Sequence, residues 1–124
     1  MRVVLIDAPP GFRDILVPLP ADVEFLAESA LSPDIILLFV TSQEALQRQF
    51  APLSRRLVAT GALWVVWPKK SSQLATDLTF EIVQSTGLQT GLVDNKVSAI
   101  DDSWTAMRFV IRLKDRPTWR PDQH

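Results

Sequence analysis

The 124-residue sequence contains no cysteine and a single histidine, His124. The absence of cysteine excludes disulfide bonds, thiolate metal sites and cysteine nucleophiles. One histidine at the end of the chain argues against catalysis by a histidine base and against a histidine metal site. Any chemistry of this chain is therefore expected to use lysine, aspartate or hydroxyl side chains.

The sequence also lacks long apolar runs and an excess of charge of one sign. Its apolar runs are far shorter than the roughly 20 residues that span a bilayer, and its first residues do not resemble a signal peptide. The 13 basic and 14 acidic residues give a net charge of −1, so no global charge attracts nucleic acid or an acidic membrane. We expect a cytoplasmic protein that binds neither.

The length predicts one domain with a proper hydrophobic core. We assign this domain to residues 1–114. Residues 115–124 contain two prolines and little to bury, so we expect a loose C-terminal tail.

The most informative stretch is GALWVVWPKKSS, residues 61–72. Leu63–Trp67 is short, β-branched and aromatic, which is typical of a strand buried on both faces of a parallel sheet. The strand should end at Pro68, which has no N–H to donate. The following Lys-Lys-Ser-Ser segment then lies at the carboxyl edge, where open parallel sheets bind ligands. The alternative is that both lysines are solvated loop charges, and the sequence favours neither interpretation over the other.

Two further apolar runs, Arg2–Ile6 and Asp34–Val40, predict parallel strands, and residues 92–100 and 105–113 predict an antiparallel pair. Helical patterns lie between them. We therefore predict an α/β fold, a Rossmann-like sandwich with a mostly parallel sheet and an antiparallel C-terminal edge.

The helix boundaries are predicted from capping and breaking residues. Thr41-Ser42-Gln43-Glu44 has the capping-box pattern, which predicts a helix capped by Thr41. Pro52 predicts a kink or a break near Phe50, with Pro52 in the first turn of a second segment, and Gly61 predicts a C-terminal glycine cap. The next helix is predicted to begin at Thr76-Asp77 and to end at Gly87.

Loops that follow the three parallel strands should meet at one rim of the sheet and form an anion site there. Trp67 could offer an aromatic face to a ligand. For Thr41 the preferred alternative is a helix cap, and for Asn95 and Lys96 it is a bulged edge strand with its polar face in water. No cluster predicts a metal site. The candidate ligand-binding residues are Arg13, Thr41, Ser42, Trp67, Lys69, Lys70, Ser71, Asn95 and Lys96.

The segments LIDAPPGF (5–12), WPKK (67–70) and VDNKV (93–97) resemble a small bacterial family known as domain of unknown function 3052. The resemblance covers nearly the whole chain except the tail and implies no established activity. A more distant resemblance is to the later half of Rossmann-like methyltransferases.

That second resemblance implies a site for S-adenosylmethionine after the first strand, where such enzymes carry a glycine-rich motif. Here Ala8-Pro9-Pro10-Gly11 stands in its place, and prolines remove the N–H donors that such a loop needs. In such enzymes an acidic residue at the end of the second strand binds a ribose, and its only weak counterpart in this sequence is Glu28. The resemblance therefore implies a shortened fold that has lost this cofactor.

Two functional hypotheses of different classes follow. The first is a module that binds a small anionic ligand, a nucleotide or phosphorylated metabolite, at a concave Lys69–Lys70 rim. The second is a structural or regulatory protein-interaction module, a homo-oligomer that buries an apolar edge or the arginine-bearing face of the last strand. Catalysis would need lysine, aspartate or serine chemistry. No residue pair demands it, so we lean towards a non-enzymatic protein and leave the cofactor unknown.

Overall fold

A computed structural model of the chain describes residues 2–10, 24–27, 32–70, 75–100 and 102–121. Within these residues there are six strands, two α-helices and one 3-10 helix. The strands are β1 (Arg2–Ile6), β2 (Glu24–Leu26), β3 (Ile35–Phe39), β4 (Ala62–Pro68), β5 (Leu92–Ala99) and β6 (Trp104–Ile111), and the helices are α1 (Gln43–Ser54), α2 (Phe80–Gln89) and the 3-10 helix Leu113–Thr118.

The strands form one sheet in the order β2-β1-β3-β4-β6-β5. The first four of these are mutually parallel, whereas β6 is antiparallel to both β4 and β5. The predicted α/β fold with a mostly parallel sheet and an antiparallel edge is confirmed. The chain moves from β1 to β2 in one direction and from β3 to β4 in the other, so the switch point of the sheet lies between β1 and β3.

Both described α-helices pack on the same face of the sheet. On this face Leu63, Val65 and Trp67 of β4 join one core cluster with Phe50 of α1 and Val83 of α2. The rings of Phe50 and Phe109 meet edge to face at 5.1 Å. The opposite face carries a second, smaller cluster around Phe39, Val66 and Ala106. A strand with apolar side chains on both faces reads as a continuous apolar run, which is why β4 is recognisable in the sequence.

Helix α1 differs from its prediction at both ends. Ser42, not Thr41, is the N-cap, and its Oγ accepts a hydrogen bond from the N–H of Ala45 at 3.1 Å. Pro52 lies inside the helix, which ends two residues later at Ser54 without a second segment. Gly61 does not cap the helix. It is buried directly before β4, where an added Cβ would lie 2.7 Å from the carbonyl oxygen of Asp34.

Helix α2 also extends past its predicted end. It continues through Gly87 to Gln89, and Thr79 is its N-cap. Among the described glycines, the one with a left-handed backbone, φ +93°, is Gly91, in the turn that leads into β5. Gly87 is instead a packing position, since an added Cβ would collide with the ring of Phe109. Val83 is buried as expected, whereas Phe80 is 41% exposed.

The C-terminal hairpin and the residues after it complete the described chain. A register shift interrupts β5 between Asp94 and Lys96. After the 3-10 helix, the indole N–H of Trp119 donates to the carbonyl of Leu57 at 2.8 Å, and the ring packs against the core. The division into a domain and a tail at residue 114 stays a prediction. Among the described residues, no helix is long and apolar enough to cross a membrane.

Candidate functional site

Three chain segments leave the sheet at its carboxyl edge. Because β1, β3 and β4 are adjacent and parallel, Asp7, Val40 and Lys69 follow their strands at the same rim. Val40 donates its N–H to the carbonyl of Val66 at 3.0 Å, which holds the β3 and β4 ends together. Asp7 has a left-handed backbone, φ +59°, and its carboxylate accepts a hydrogen bond from Gln49 of α1 at 3.3 Å. The predicted convergence of the strand ends is confirmed.

A cleft of about 370 Å³ opens beside the end of β4. Its volume lies within the range of roughly 300–1,000 Å³ that is usual for small-molecule sites. Lys69 is half-buried, and its backbone N–H donates to the carbonyl of Ser103 at 2.9 Å, while Lys70 is exposed. The described residues that line it are Lys69, Lys70, Ala75, Thr76, Asp77, Leu78 and Thr79.

The wall of the cleft, residues 75–79, is held by local hydrogen bonds. Thr76 Oγ1 accepts from the N–H of Leu78 at 3.1 Å, and Thr79 Oγ1 accepts from the N–H of Ile82 at 3.2 Å. Leu78 is 3% exposed and belongs to the core on the helical face. An apolar anchor between two hydroxyl-bearing turns gives the wall a defined position without regular secondary structure.

Asp77 and Gln43 join this wall to helix α1. The backbone N–H of Gln43 donates to Asp77 Oδ1 at 2.8 Å, and the Gln43 side-chain amide donates to the Asp77 carbonyl at 3.2 Å. A carboxylate is favoured at this position because helix N-termini carry a partial positive charge and unpaired N–H groups. With Ser42 capping the N–H of Ala45, two of the first donors of α1 are satisfied within the chain. The helix end thus serves to position the cleft wall.

The structure separates the candidate residues suggested by the sequence. Lys69 and Lys70 line the cleft. Ser42 is a helix cap, and Thr41 is exposed beside it. Trp67 is 5% exposed and packs in the core, so its ring offers no open face to the cleft.

Asn95 and Lys96 are exposed at mid-strand on β5, away from the cleft lining. Asp94 pairs with Phe109 and Lys96 with Arg108, so Asn95 is the extra residue of a bulge. This arrangement is the preferred alternative for Asn95 and Lys96, a bulged edge strand with its polar face in water. Arg13 and Ser71 lie outside the described residues. A ligand-binding role for the candidate set stays a prediction.

Among the described residues, the charged side chains that line the cleft are Lys69, Lys70 and Asp77. One Asp77 oxygen already accepts a hydrogen bond from the backbone of α1. Within the described ranges, no group of three histidine, cysteine, aspartate or glutamate residues could hold a metal ion.

The candidate residues suggested by the sequence do not include four that shape the wall: Gln43, Thr76, Asp77 and Thr79. The sequence predicts that a helix begins at Thr76-Asp77, but α2 begins at Phe80, after its N-cap Thr79. The hydroxyl of Thr79 three residues before Ile82 is an N-cap signal that favours this later start. The bond between Gln43 and Asp77 has no local signal, since it spans 34 positions.

Comparison with known proteins identifies the fold. No family model matches the chain, and no curated protein matches it. Among solved structures, the mitomycin 7-O-methyltransferase MmcR is 13% identical to this chain, with a TM-score of 0.58. The alignment covers 90% of this chain and 42% of MmcR. The magnesium protoporphyrin IX methyltransferase from Synechocystis PCC 6803, with bound SAH, is 9% identical, with a TM-score of 0.54. The alignment covers 81% of this chain and 56% of that enzyme.

A third structure, a TehB-like SAM-dependent methyltransferase from Corynebacterium glutamicum, is 12% identical, with a TM-score of 0.52. The alignment covers 73% of this chain and 57% of that protein. The chain thus spans about half the length of these proteins. The likeness shows a methyltransferase-like Rossmann fold, as the distant resemblance implied. Membership of the domain of unknown function 3052 family, bacterial origin and cytoplasmic location stay predictions.

Proposed function

We propose that this methyltransferase-like domain binds a small anionic ligand in the cleft beside Lys69 and Lys70. The observation that carries the proposal is the concavity of about 370 Å³ at the carboxyl end of β4, with two lysines on its lining. Ligands of open α/β sheets bind at this edge.

The construction of the wall supports the same proposal. Leu78 is packed into the core, and Asp77 is bonded to the first residue of α1, so the wall is held in place before any ligand arrives. A preformed site loses less conformational entropy on binding. Lysine ammonium groups act as point charges for phosphate and carboxylate groups.

The test is isothermal titration calorimetry, preceded by a thermal-shift screen of nucleotides, phosphate esters and S-adenosyl compounds against the intact chain. A ligand at about 100 times its Kd stabilises the native state by about 2.7 kcal/mol. We expect Lys69→Ala and Lys70→Ala each to weaken binding without loss of folding. The matched control is Lys114→Ala, an exposed lysine of the 3-10 helix that is outside the cleft.

Binding that survives the double variant Lys69→Ala/Lys70→Ala, or that is weakened equally by Lys114→Ala, would contradict the proposal. A complete screen without any shift would contradict it as well. The result would then favour the protein-interaction hypothesis. The two sheet edges give that hypothesis little support, because β2 has three residues and β5 is interrupted by a bulge next to Lys96. Short or bulged edges with lysine are typical devices against edge pairing.

A second candidate function is binding of an S-adenosyl compound at the switch point between β1 and β3. It is favoured by the fold likeness, since the magnesium protoporphyrin IX methyltransferase structure contains bound SAH. It is also favoured by the backbone of Asp7, which is held in the left-handed region at the end of β1. Strained residues of this kind cluster at functional sites. The prolines Pro9 and Pro10 weigh against it because they cannot donate N–H groups.

Titration with S-adenosylhomocysteine separates the two candidates. Binding at the switch point should be lost in Asp7→Ala and retained in Lys69→Ala/Lys70→Ala. Binding in the β4 cleft should show the opposite pattern. Methyl transfer itself would require a methyl acceptor. A search for one is justified only if S-adenosylhomocysteine binding is lost in Asp7→Ala and retained in Lys69→Ala/Lys70→Ala.

A further inference from the structure

Two arginines that follow β6 are held in place by main-chain carbonyl groups. Arg112 donates its Nε–H to the carbonyl of Gly91 at 3.2 Å, and Arg116 donates its Nε–H to the carbonyl of Ile111 at 3.1 Å. Leu92 pairs with Ile111 in the hairpin, so the two accepting residues lie on adjacent strands at one corner of the sheet. Both arginines are half-buried. Their guanidinium groups are therefore fixed at the same corner.

The bonds to the carbonyls leave the outer side of each guanidinium group open. The bond at Nε uses only one of the N–H donors of the group. In the described part of the chain, Arg112 and Arg116 form no ion pair, and Asp115, which lies between them in the sequence, forms none either. Each arginine thus presents its terminal nitrogens in a fixed direction, and this fork matches the two oxygens of a carboxylate. Residues 122–124, which follow this segment, lie outside the described residues.

An apolar side chain stands beside the two forks. Leu113 follows Arg112 at the start of the 3-10 helix and is 75% exposed, more than any other large apolar side chain of the described residues. A single exposed leucine is ordinary on a protein surface. Beside two anchored arginines it completes the pattern of a small interface, because arginine is enriched at interfaces and exposed ion pairs alone contribute little affinity.

We infer that Arg112, Leu113 and Arg116 form a docking surface for an acidic peptide segment in which carboxylates flank an apolar residue. The surface lies beside the start of β4, since Val110 of β6 pairs with Ala62, and so at the opposite edge of the sheet from the cleft. It is independent of the anion-binding function proposed above. Fixed forks favour carboxylates over a phospholipid surface, because attraction to an acidic membrane needs only positive charge and lysine serves it as well.

The test is the fluorescence anisotropy of a labelled peptide, Gly-Glu-Glu-Leu-Glu-Glu-Gly, titrated with the intact chain. Two matched peptides carry glutamine in place of every glutamate, or serine in place of the leucine. We expect binding that weakens as salt is raised and that is lost with the glutamine peptide. Leu113→Ser should weaken binding of the leucine peptide and leave binding of the serine peptide unchanged. Because Leu113 is so exposed, this variant retains the fold.

The role of the forks is tested by replacing them without loss of charge. Arg112→Lys/Arg116→Lys should bind the leucine peptide about tenfold more weakly, since loss of a hydrogen bond to a charged group corresponds to about one factor of ten. The matched control is Arg120→Lys in the same segment. The Nη1 of Arg120 already donates to the carbonyls of Pro117 and Trp119, so this arginine presents no open fork, and we expect unchanged binding. Circular dichroism and Tm check that each variant is folded.

The outcomes separate an acidic peptide from other occupants of this surface. Absence of peptide binding, equal binding by Arg112→Lys/Arg116→Lys, or equal weakening in Arg120→Lys would overturn the inference. Binding to phosphatidylserine vesicles without binding to the peptide would overturn it in favour of a membrane. Self-association that is lost in Leu113→Ser would overturn it in favour of a second copy of the chain. Peptide binding that needs the glutamates, the forks and Leu113, and that survives in Lys69→Ala/Lys70→Ala, would support it.

Discussion

Replacement of Gly87 by alanine gives a direct test of how α2 sits on the sheet. The Cβ of an alanine at this position would overlap the ring of Phe109, with Cζ at 2.7 Å and two further ring atoms nearer still. The ring cannot move aside easily, because Phe109 is fully buried and meets Phe50 edge to face. The helix must therefore shift away from β6 or the ring must leave its preferred position.

The expected magnitude follows from two opposing effects. Alanine in place of glycine inside a helix stabilises by roughly 0.5–1 kcal/mol, because glycine loses more conformational entropy on folding. Extra volume in a packed core costs about 1–3 kcal/mol. Since the overlap at Gly87 involves three atoms of a buried ring, we expect the packing cost to prevail and the free energy of unfolding to fall by about 1–2 kcal/mol. For a chain of this length, Tm should fall by about 5 °C.

Thermal and denaturant unfolding followed by circular dichroism measures this change. Ser85→Ala is the matched control, because Ser85 is exposed on the same helix and gains helix propensity without meeting the ring. In a double-mutant cycle, Phe109→Leu should remove most of the penalty of Gly87→Ala. An unchanged or higher Tm for Gly87→Ala would refute the close approach of α2 to β6, and with it the position of Thr79 at the cleft.

Further substitutions test the caps, the cleft wall and the C-terminal anchor. Ser42→Ala should lower the free energy of unfolding by about 1 kcal/mol, whereas Thr41→Ala should stay within about 0.5 kcal/mol, both measured by denaturant unfolding. Asp77→Ala should speed hydrogen exchange at the amide of Gln43, and unchanged exchange would exclude their bond. Trp119→Phe should cost about 1 kcal/mol through loss of its indole N–H bond, and an unchanged unfolding midpoint would contradict that anchor.

The sheet could be predicted from the sequence because its central strands are buried on both faces. The runs around Leu38 and Val65 are continuous and apolar, and each is bounded by a breaker or a polar residue. Such a run predicts a parallel strand without any knowledge of its neighbours. The strand order was not predictable in this way, since it depends on which strands pair across the chain.

The glycines show where local rules fail. The sequence predicts helix ends at both Gly87 and Gly61, because glycine is frequent just after a helix. In the structure both are places where another part of the chain approaches closely, a phenyl ring at Gly87 and a backbone carbonyl at Gly61. Among the described glycines, the one with a left-handed backbone is Gly91. A close tertiary approach and a helix end leave the same residue type in the sequence, so the residue alone does not distinguish them.

The candidate site likewise contains residues that the sequence predicts and residues that only tertiary contacts bring to it. Lys69 and Lys70 were predictable because they follow a recognisable strand, and the carboxyl edge of a parallel sheet is a general place for ligands. The wall opposite them was not, because its position depends on a bond between Gln43 and Asp77, 34 positions apart. That bond joins the cleft wall, which carries Thr76 and Thr79, to helix α1. The strand pattern thus predicts where a ligand would bind, whereas its chemical class depends on tertiary contacts that only the folded chain displays.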